Sequence, residues 1–243
     1  MLYCPQRRRR PRPGEIALEE QTGLQTCPIC ASDTRMLFHP VDRRVFYRCS
    51  GCGFSWLDAV HHLGPEEECA RYRLHRNTEG DAGYVAYLRG FIERALRPYL
   101  PAGRLTALDF GCGPVPVLAR LLERDLGCRT AVYDPCFFPD TPDAGTRFDL
   151  VIATEVAEHL SDPVATFREL SGLLRPEGLL GIMTLFSPER DSDFLDWFYL
   201  RDRTHRAFFP ASRSACWPAG PVYVRSGMTG YGWLRFAKPE PLR

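Results

Sequence analysis

Apolar and polar positions fall into three regimes along this chain. Around a polar turn at Pro40 to Arg43, the short apolar runs Met36-Leu37-Phe38 and Val45-Phe46-Tyr47 predict a β-hairpin. From Pro65 the segment PEEECARYRLHRN puts acids first and bases last, as a helix dipole favours. YVAYLRGFIERAL then carries apolar residues at three- and four-residue steps, which predicts a helix over Gly83 to Leu96, closed by Pro98 and Pro101. Beyond Leu105 the apolar runs lose all alternation. Leu105–Asp109, Thr130–Tyr133, Phe148–Thr154 and Leu179–Leu185 read as strands buried on both faces. Helical patterns at Val117–Leu126 and Asp162–Leu174 separate them, the second opened by an SDP cap, and RPEG at 175–178 reads as a turn into the last strand. Strands alternating with helices predict an α/β fold with a doubly wound, mostly parallel sheet.

The same pattern divides the chain. Residues 1–26 hold a proline-broken arginine run and predict a disordered basic tail; residues 27–56 form a small cysteine module; residues 57–100 read as a helical linker; residues 101–243 carry the α/β domain. Its end, 210–243, is atypical. PASRSACWPAGPVYVRSGMTGYGWLRF has no helical period and many breakers, so at most one short strand is expected there, Pro221–Arg225 or Trp233–Ala237.

Composition narrows the class. A length of 243 residues with 44% hydrophobic residues supplies one sizeable core plus a small module, and a formal net charge of +1 argues against a surface built mainly for nucleic acid. No run reaches membrane-spanning length and no signal peptide is evident, so a cytoplasmic protein without membrane contact is expected; oligomeric state is not readable. Ten cysteines include the doubled pair Cys27/Cys30 and Cys49/Cys52, a C-x2-C-x18-C-x2-C pattern. In a reducing compartment that spacing is a four-thiolate zinc site, closed and therefore structural, with the hairpin bringing the two knuckles together. The other six cysteines, Cys69 and Cys136 among them, read as small buried hydrophobes.

Candidate chemistry centres on LDFGCGP. A buried strand ends in Asp109, turns through Gly111 and Gly113, and meets a helix N-terminus, the arrangement that holds nucleotide-like ligands. Asp134 closes the next strand about twenty residues on, where a carboxylate reaches ribose hydroxyls. Pro116 stands where a dinucleotide fingerprint has its third glycine, and no P-loop lysine follows.

LDFGCGP, then YDP, FDLVIATEVAEHL and LLRPEGLLGIMT, occur in that order over residues 105–186. They resemble the motifs of Rossmann-like class I S-adenosylmethionine-dependent methyltransferases. Within that family, EVAEH and the later D-x-T-H resemble the ubiquinone-biosynthesis O-methyltransferase branch and bacterial methyltransferases with an N-terminal zinc ribbon. The resemblance implies S-adenosyl-L-methionine as cofactor, with Asp109, Gly111 and Gly113 at its methionine part, Asp134 at the ribose, and Thr154 and Glu155 also in the cofactor site. Only thirteen residues separate Asp134 from Phe148, so the usual helix, strand and acidic adenine contact are shortened or missing.

Glu155, Glu158 and His159 stand at i, i+3 and i+4, one face of a helical turn, and Asp202 and His205 follow the fifth strand. The run resembles the ExxEH of plant-type small-RNA 2′-O-methyltransferases. Carried over, Glu155, Glu158, His159 and His205 become ligands for Mg²⁺, Mn²⁺, Fe²⁺ or Zn²⁺; without metal, His159 or His205 is the general base. Trp197, Phe198, Tyr199, Phe208 and Phe209 are candidates for a lid or acceptor-pocket wall. The expected function is methyl transfer to a hydroxyl of a small-molecule acceptor. Two alternatives stand beside it: an RNA methyltransferase, favoured by the arginine tail and by Arg43, Arg44 and Arg48 on the ribbon, and a degenerate fold acting as a zinc-dependent binding module.

Overall fold

The computed structural model describes residues 25–74, 77–211, 222–226 and 231–237. The basic tail as far as residue 24 lies outside them. Two sheets share the chain. The larger has six strands: β4 (Thr106–Phe110), β5 (Arg129–Tyr133), β6 (Phe148–Thr154), β7 (Leu174–Leu185), β9 (Val222–Ser226) and β10 (Tyr231–Ala237), in the order β5-β4-β6-β7-β10-β9. The first four are mutually parallel, as uninterrupted apolar strands demand, and β10 and β9 run antiparallel at one edge. Both predicted tail strands therefore form, where at most one was expected. β10 pairs along its full length with the second half of β7, from Tyr231 against Leu185 to Ala237 against Leu179, a register that a reading of local pattern cannot supply.

β6 shows how the sheet is buried. Leu150 and Ile152 point to a core shared with α2 (Ala82–Phe91), its π-helical extension Ile92–Leu96, and α3 (Val117–Leu126). Val151 and Ala153 point to the opposite core, where Phe167 and Leu170 of α4 (Pro163–Gly172) pack. Asp162 caps α4, its carboxylate accepting from Ala165 N–H at 2.9 Å. RPEG is not a turn. β7 runs through it with Glu177 at φ +61° and a register shift against β6, so the extra bend is absorbed as an irregularity inside the strand. Between Asp134 and Phe148 the chain makes neither helix nor strand, leaving β5 as the other edge.

The smaller sheet has the order β1-β2-β3-β8, from β1 (Thr34–Phe38), β2 (Val45–Cys49), β3 (Ser55–Leu57) and β8 (Ala207–Phe208). The first three are the predicted cysteine module. The fourth comes from the α/β part of the chain, immediately after His205. Phe46 of β2 lies fully buried edge-on to Phe194 of α5 (Asp191–Leu195) and to Phe208, ring centroids 5.5 and 5.9 Å apart. Ribbon and α/β sheet thus share a core, the strand pairing and the aromatic cluster holding them as one packed body. α1 (Pro65–Tyr72), shorter than its sequence pattern, lies between them in the chain, and no helix among the described residues is long and apolar enough to cross a membrane.

Candidate active site

Two adjoining cavities lie over the carboxyl ends of β4, β5 and β6, where open parallel sheets bind ligands. One, about 570 Å³, is lined by Asp109, Gly111, Gly113, Thr154, Glu155, Glu158, His159, Tyr199, Asp202 and His205. The other, about 360 Å³ and more apolar, runs between Gly113, Tyr133, Asp134, Phe137 and α1. Every cofactor-site residue expected from the sequence lines at least one of them.

The glycine turn is built by backbone constraint. Gly111 and Gly113 have φ of +75° and +69°, a region hostile to side chains. A Cβ on Gly111 would come within 2.3 Å of Val156 Cγ2, whereas one on Gly113 would meet nothing within 4 Å. Gly111 is thus a packing requirement, and Gly113 opens onto space a ligand can fill. Asp134 Oδ2 accepts from Gly113 N–H at 3.0 Å, and its Oδ1 from Cys136 N–H at 2.8 Å and Phe137 N–H at 3.2 Å. Three of the roughly four lone-pair positions of the carboxylate are engaged by the turn it organises. Asp109 is 2% exposed and its Oδ2 has no hydrogen-bond partner. Burial, reinforced by Asp134, pushes its carboxyl up to about 7.

The chain between Asp134 and Phe148 forms no strand to carry the acidic adenine contact. The apolar cavity is walled instead by Phe110 and Tyr133, stacked at 5.2 Å, and by Phe137 in the loop after Asp134. Cys136 in that loop forms a disulfide with Cys69 of α1, so these two are not the isolated buried thiols expected. Their pairing joins segments 67 residues apart, a proximity no spacing rule reveals.

The ExxEH run does not make the predicted single helical face. Glu155 leaves β6 at φ +53°, a strained position for a residue with a side chain, and only Ala157–His159 forms a 3₁₀ turn. Glu158, His159 and His205 consequently converge, with one ligand-type atom from each within 4.8 Å of the others, and Glu155 stands outside that group. Its carboxylate accepts from Tyr87 hydroxyl at 2.8 Å and Tyr199 hydroxyl at 3.4 Å. Burial, then the neighbouring Glu158, hold it well above the ordinary carboxylate range. Glu158 is 1% exposed and accepts from the hydroxyls of Thr184 at 2.9 Å and of Tyr199.

Both imidazoles face carbonyls. His159 Nδ1 lies 3.2 Å from Thr204 O and His205 Nδ1 2.8 Å from Tyr199 O. A carbonyl can only accept, which assigns the proton to Nδ1 and the lone pair to Nε2 in each neutral ring. Burial and His159 lower the His205 pKa. Burial would raise Asp202, but the N–H and hydroxyl of Thr204 at 2.9 and 2.7 Å hold it below the ordinary range. Of the five candidate lid aromatics only Tyr199 lines the cavity. Phe208 and Phe209 are core, Trp197 packs on Phe194 and Phe208, and Phe198 is exposed. Tyr87 gave no sequence signal, being one aromatic among several on α2.

In the ribbon, Cys27 and Cys52 Sγ lie 3.6 Å apart and Cys30 and Cys49 Sγ 3.4 Å apart, all four forming one group. Backbone N–H groups of Ile29 and Cys52 donate to sulfurs at 3.4 and 3.2 Å. Arg44 and Arg48 are 4% and 3% exposed, packed against the α/β part of the chain. They are not the surface cations expected from the sequence; of Arg43, Arg44 and Arg48 only Arg43 is exposed.

A methyltransferase-domain family model matches residues 82–215. A ubiquinone biosynthesis O-methyltransferase of Parvibaculum lavamentivorans is 45% identical over 173 residues, 60% of this chain and 63% of that protein. Its counterpart in Bradyrhizobium diazoefficiens is 29% identical over 169 residues, 60% and 62% of the two chains. The chain therefore spans about three-fifths of the length of these curated relatives. An O-methyltransferase family protein from Burkholderia thailandensis superposes on 70% of this chain and 62% of its own, at 18% identity and a TM-score of 0.43. The family match covers more than half of the chain and takes in the glycine turn, the ExxEH run and His205: the chain belongs to the methyltransferase-domain family.

Proposed function

We propose that this protein transfers a methyl group from S-adenosylmethionine to a hydroxyl of a small-molecule acceptor, with a structural zinc ion in its ribbon. The observation that carries the cofactor half is Asp109 Oδ2, buried and without a partner in the cavity beside Gly113. A cationic donor is what that oxygen lacks, and the ammonium of a methionyl group is one. Asp134 retains acceptor capacity for a ribose hydroxyl, and the Phe110–Tyr133–Phe137 wall suits a flat adenine ring. The bound cofactor supplies the electrophilic sulfonium methyl; the chain's own task is to align the acceptor oxygen and take its proton.

Glu158, His159 and His205 fit a divalent cation. Each imidazole directs Nδ1–H at a carbonyl, the support that orients Nε2 as a ligand. Two imidazoles and a carboxylate favour Zn²⁺, Fe²⁺ or Mn²⁺ over Mg²⁺. Held by these three residues, such an ion lowers the pKa of a hydroxyl beside it. Where none is bound, the neutral His205 ring is the proton acceptor. In the ribbon, a tetrahedron with bonds of about 2.3 Å has sulfurs about 3.8 Å apart, close to the spacings seen, and leaves no open position.

The relatives' name supports a small acceptor, and a phenolic hydroxyl is the first to try. Burial of Arg44 and Arg48 takes two of the ribbon's cations out of the support for RNA. Calorimetry with S-adenosylhomocysteine, followed by transfer of labelled methyl to a catechol, tests the reading. No binding overturns it entirely; binding without transfer to any phenol overturns the acceptor class. Chelation should suppress transfer while leaving cofactor binding intact.

A further inference from the structure

The ribbon grips one particular segment of the α/β part of the chain. β8 begins two residues after His205 and pairs with β3, and Leu57 N–H donates to Arg206 O at 2.8 Å. Arg44 Nη2 donates to Leu200 O at 2.5 Å while its Nε holds Asp42 at 2.6 Å. Arg48 Nη1 reaches Glu189 O at 2.7 Å and Asp191 at 2.9 Å, and its Nη2 reaches Pro188 O at 3.1 Å. These carbonyls frame residues 188–200. From the end of that segment Tyr199 donates its hydroxyl to Glu158 and offers its carbonyl to His205 Nδ1.

Two buried guanidinium groups are a poor way to fill space, since apolar side chains of similar volume serve stability as well or better. What arginine adds is a rigid fork of N–H donors that fixes where a backbone carbonyl sits. The turn at Asp202 to His205 has its own Thr204–Asp202 bonds but no regular secondary structure to place it, so its position depends on what lies beneath.

We infer that Arg44 and Arg48 are positioning residues: through the carbonyls of Pro188, Glu189 and Leu200 they set Tyr199 and His205 against Glu158 and His159, which makes the ribbon the buttress of the acceptor side. The inference rests on the proposed reading of that side as the acceptor site.

The test compares wild type with Arg44→Met, Arg48→Met and the double variant, and with Arg44→Lys as a milder change that keeps the charge. Hydrogen exchange is followed in peptides covering residues 198–206 and, as internal control, α3. S-adenosylhomocysteine affinity and the turnover of a catechol acceptor are measured on the same samples. In the double variant, exchange in 198–206 should rise about tenfold or more while α3 and cofactor affinity stay within about twofold, since opening is confined to one segment. For any active preparation kcat should fall with KM for S-adenosylmethionine unchanged, and Arg44→Lys should lie between wild type and Arg44→Met. Unchanged exchange in 198–206, or a rise shared equally by α3, overturns the inference. Local opening in an enzyme that binds cofactor but methylates no acceptor supports the buttress and overturns the functional reading instead.

Discussion

The two ends of the ligand cavity are built in opposite ways. At the proposed cofactor end, Asp109, Gly111, Gly113 and Asp134 lie within 26 residues, and the turn is shaped by backbone torsions and by N–H groups that Asp134 collects from Gly113 and from its own loop. At the proposed acceptor end, α2 brings Tyr87, the β6 exit brings Glu158 and His159, the segment after β7 brings Tyr199 and His205, and Arg44 of the ribbon holds the Leu200 carbonyl beside them. A site made of local backbone keeps its shape wherever its strand is held. A site assembled from distant side chains is only as ordered as the elements beneath each one. The comparison predicts that ribbon damage reaches the acceptor end far more than the cofactor end.

The largest effect should come from Cys49→Ser. If the four cysteines hold zinc as proposed, a ribbon with so little core of its own depends on that metal to fold, and apparent zinc-binding energies of such modules are on the order of 10 kcal/mol or more. Zinc should be lost, the melting temperature should fall by roughly 10 °C or more, and protection of β8 should collapse, because among the described residues β3 is the strand it pairs with. Melting, metal analysis and hydrogen exchange check this; a zinc-free protein with β8 still protected would break the comparison. Phe46→Ala comes next. The ring is fully buried against Phe194 and Phe208, and truncating such a residue costs about 3–5 kcal/mol. Because ribbon and α/β sheet share this core, denaturant unfolding should shift as one transition; two separated transitions would mean that the ribbon is an independent unit.

The same asymmetry explains what could be read from the sequence. The parallel strands were legible because residues buried on both faces must be apolar throughout, and the glycine turn because positive φ leaves few alternatives to glycine. The grouping of the four cysteines was legible because two C-x2-C knuckles at this separation are the spacing of four-thiolate sites. What was lost depends on contacts between distant segments. β10 is a strand because β7 offers it an edge, and β8 because β3 does. Arg44 and Arg48 looked like surface charge because sequence does not show which carbonyls wait above them. Glu155 fell off the expected helical face because the chain leaves β6 at φ +53°, and nothing local in EVAEH announces that.

Cys136→Ser tests the cofactor end by the one covalent feature it has. Losing a disulfide that joins positions 67 apart should cost about 2–4 kcal/mol in non-reducing buffer and nothing once reductant is present. The damage should stay near the apolar cavity: weaker S-adenosylhomocysteine binding, unchanged exchange in 198–206. Asp109→Asn should follow, weakening the same ligand about tenfold to a hundredfold through a lost charge-assisted hydrogen bond. The pH dependence sharpens this. The folded-state pKa is raised, from the ordinary 3.8 to about 7, so the stability Asp109 contributes to the free protein is full below 3.8 and is lost as pH rises through 7. A ligand ammonium favours the carboxylate, so binding below pH 7 releases a proton and affinity climbs with pH until about 8. Calorimetry in two buffers of different ionisation heat measures that proton; binding that is flat from pH 6 to 8 would remove Asp109 from the ammonium site.

The smallest expected effect is the most selective. Three ribbon arginines reach the α/β part of the chain: Arg44 and Arg48 as above, and Arg35, whose Nε and Nη2 pair with both Asp191 oxygens at 2.9 and 2.8 Å. On geometry alone the Arg35 pair is the best of the set. Its side chains are 46% and 36% exposed, however, and exposed pairs are worth less than about 1 kcal/mol because water and salt screen them. Arg48 already holds the same Asp191 oxygen from the buried side, which leaves Arg35 little to add. Arg35→Ala should therefore change stability by well under about 1 kcal/mol and leave exchange in 198–206 untouched, with whatever loss there is vanishing in high salt. If Arg35→Ala instead loosened that segment as much as Arg44→Met, contact across the seam in general would be what orders the acceptor end, and burial of the guanidinium would not be the property that matters.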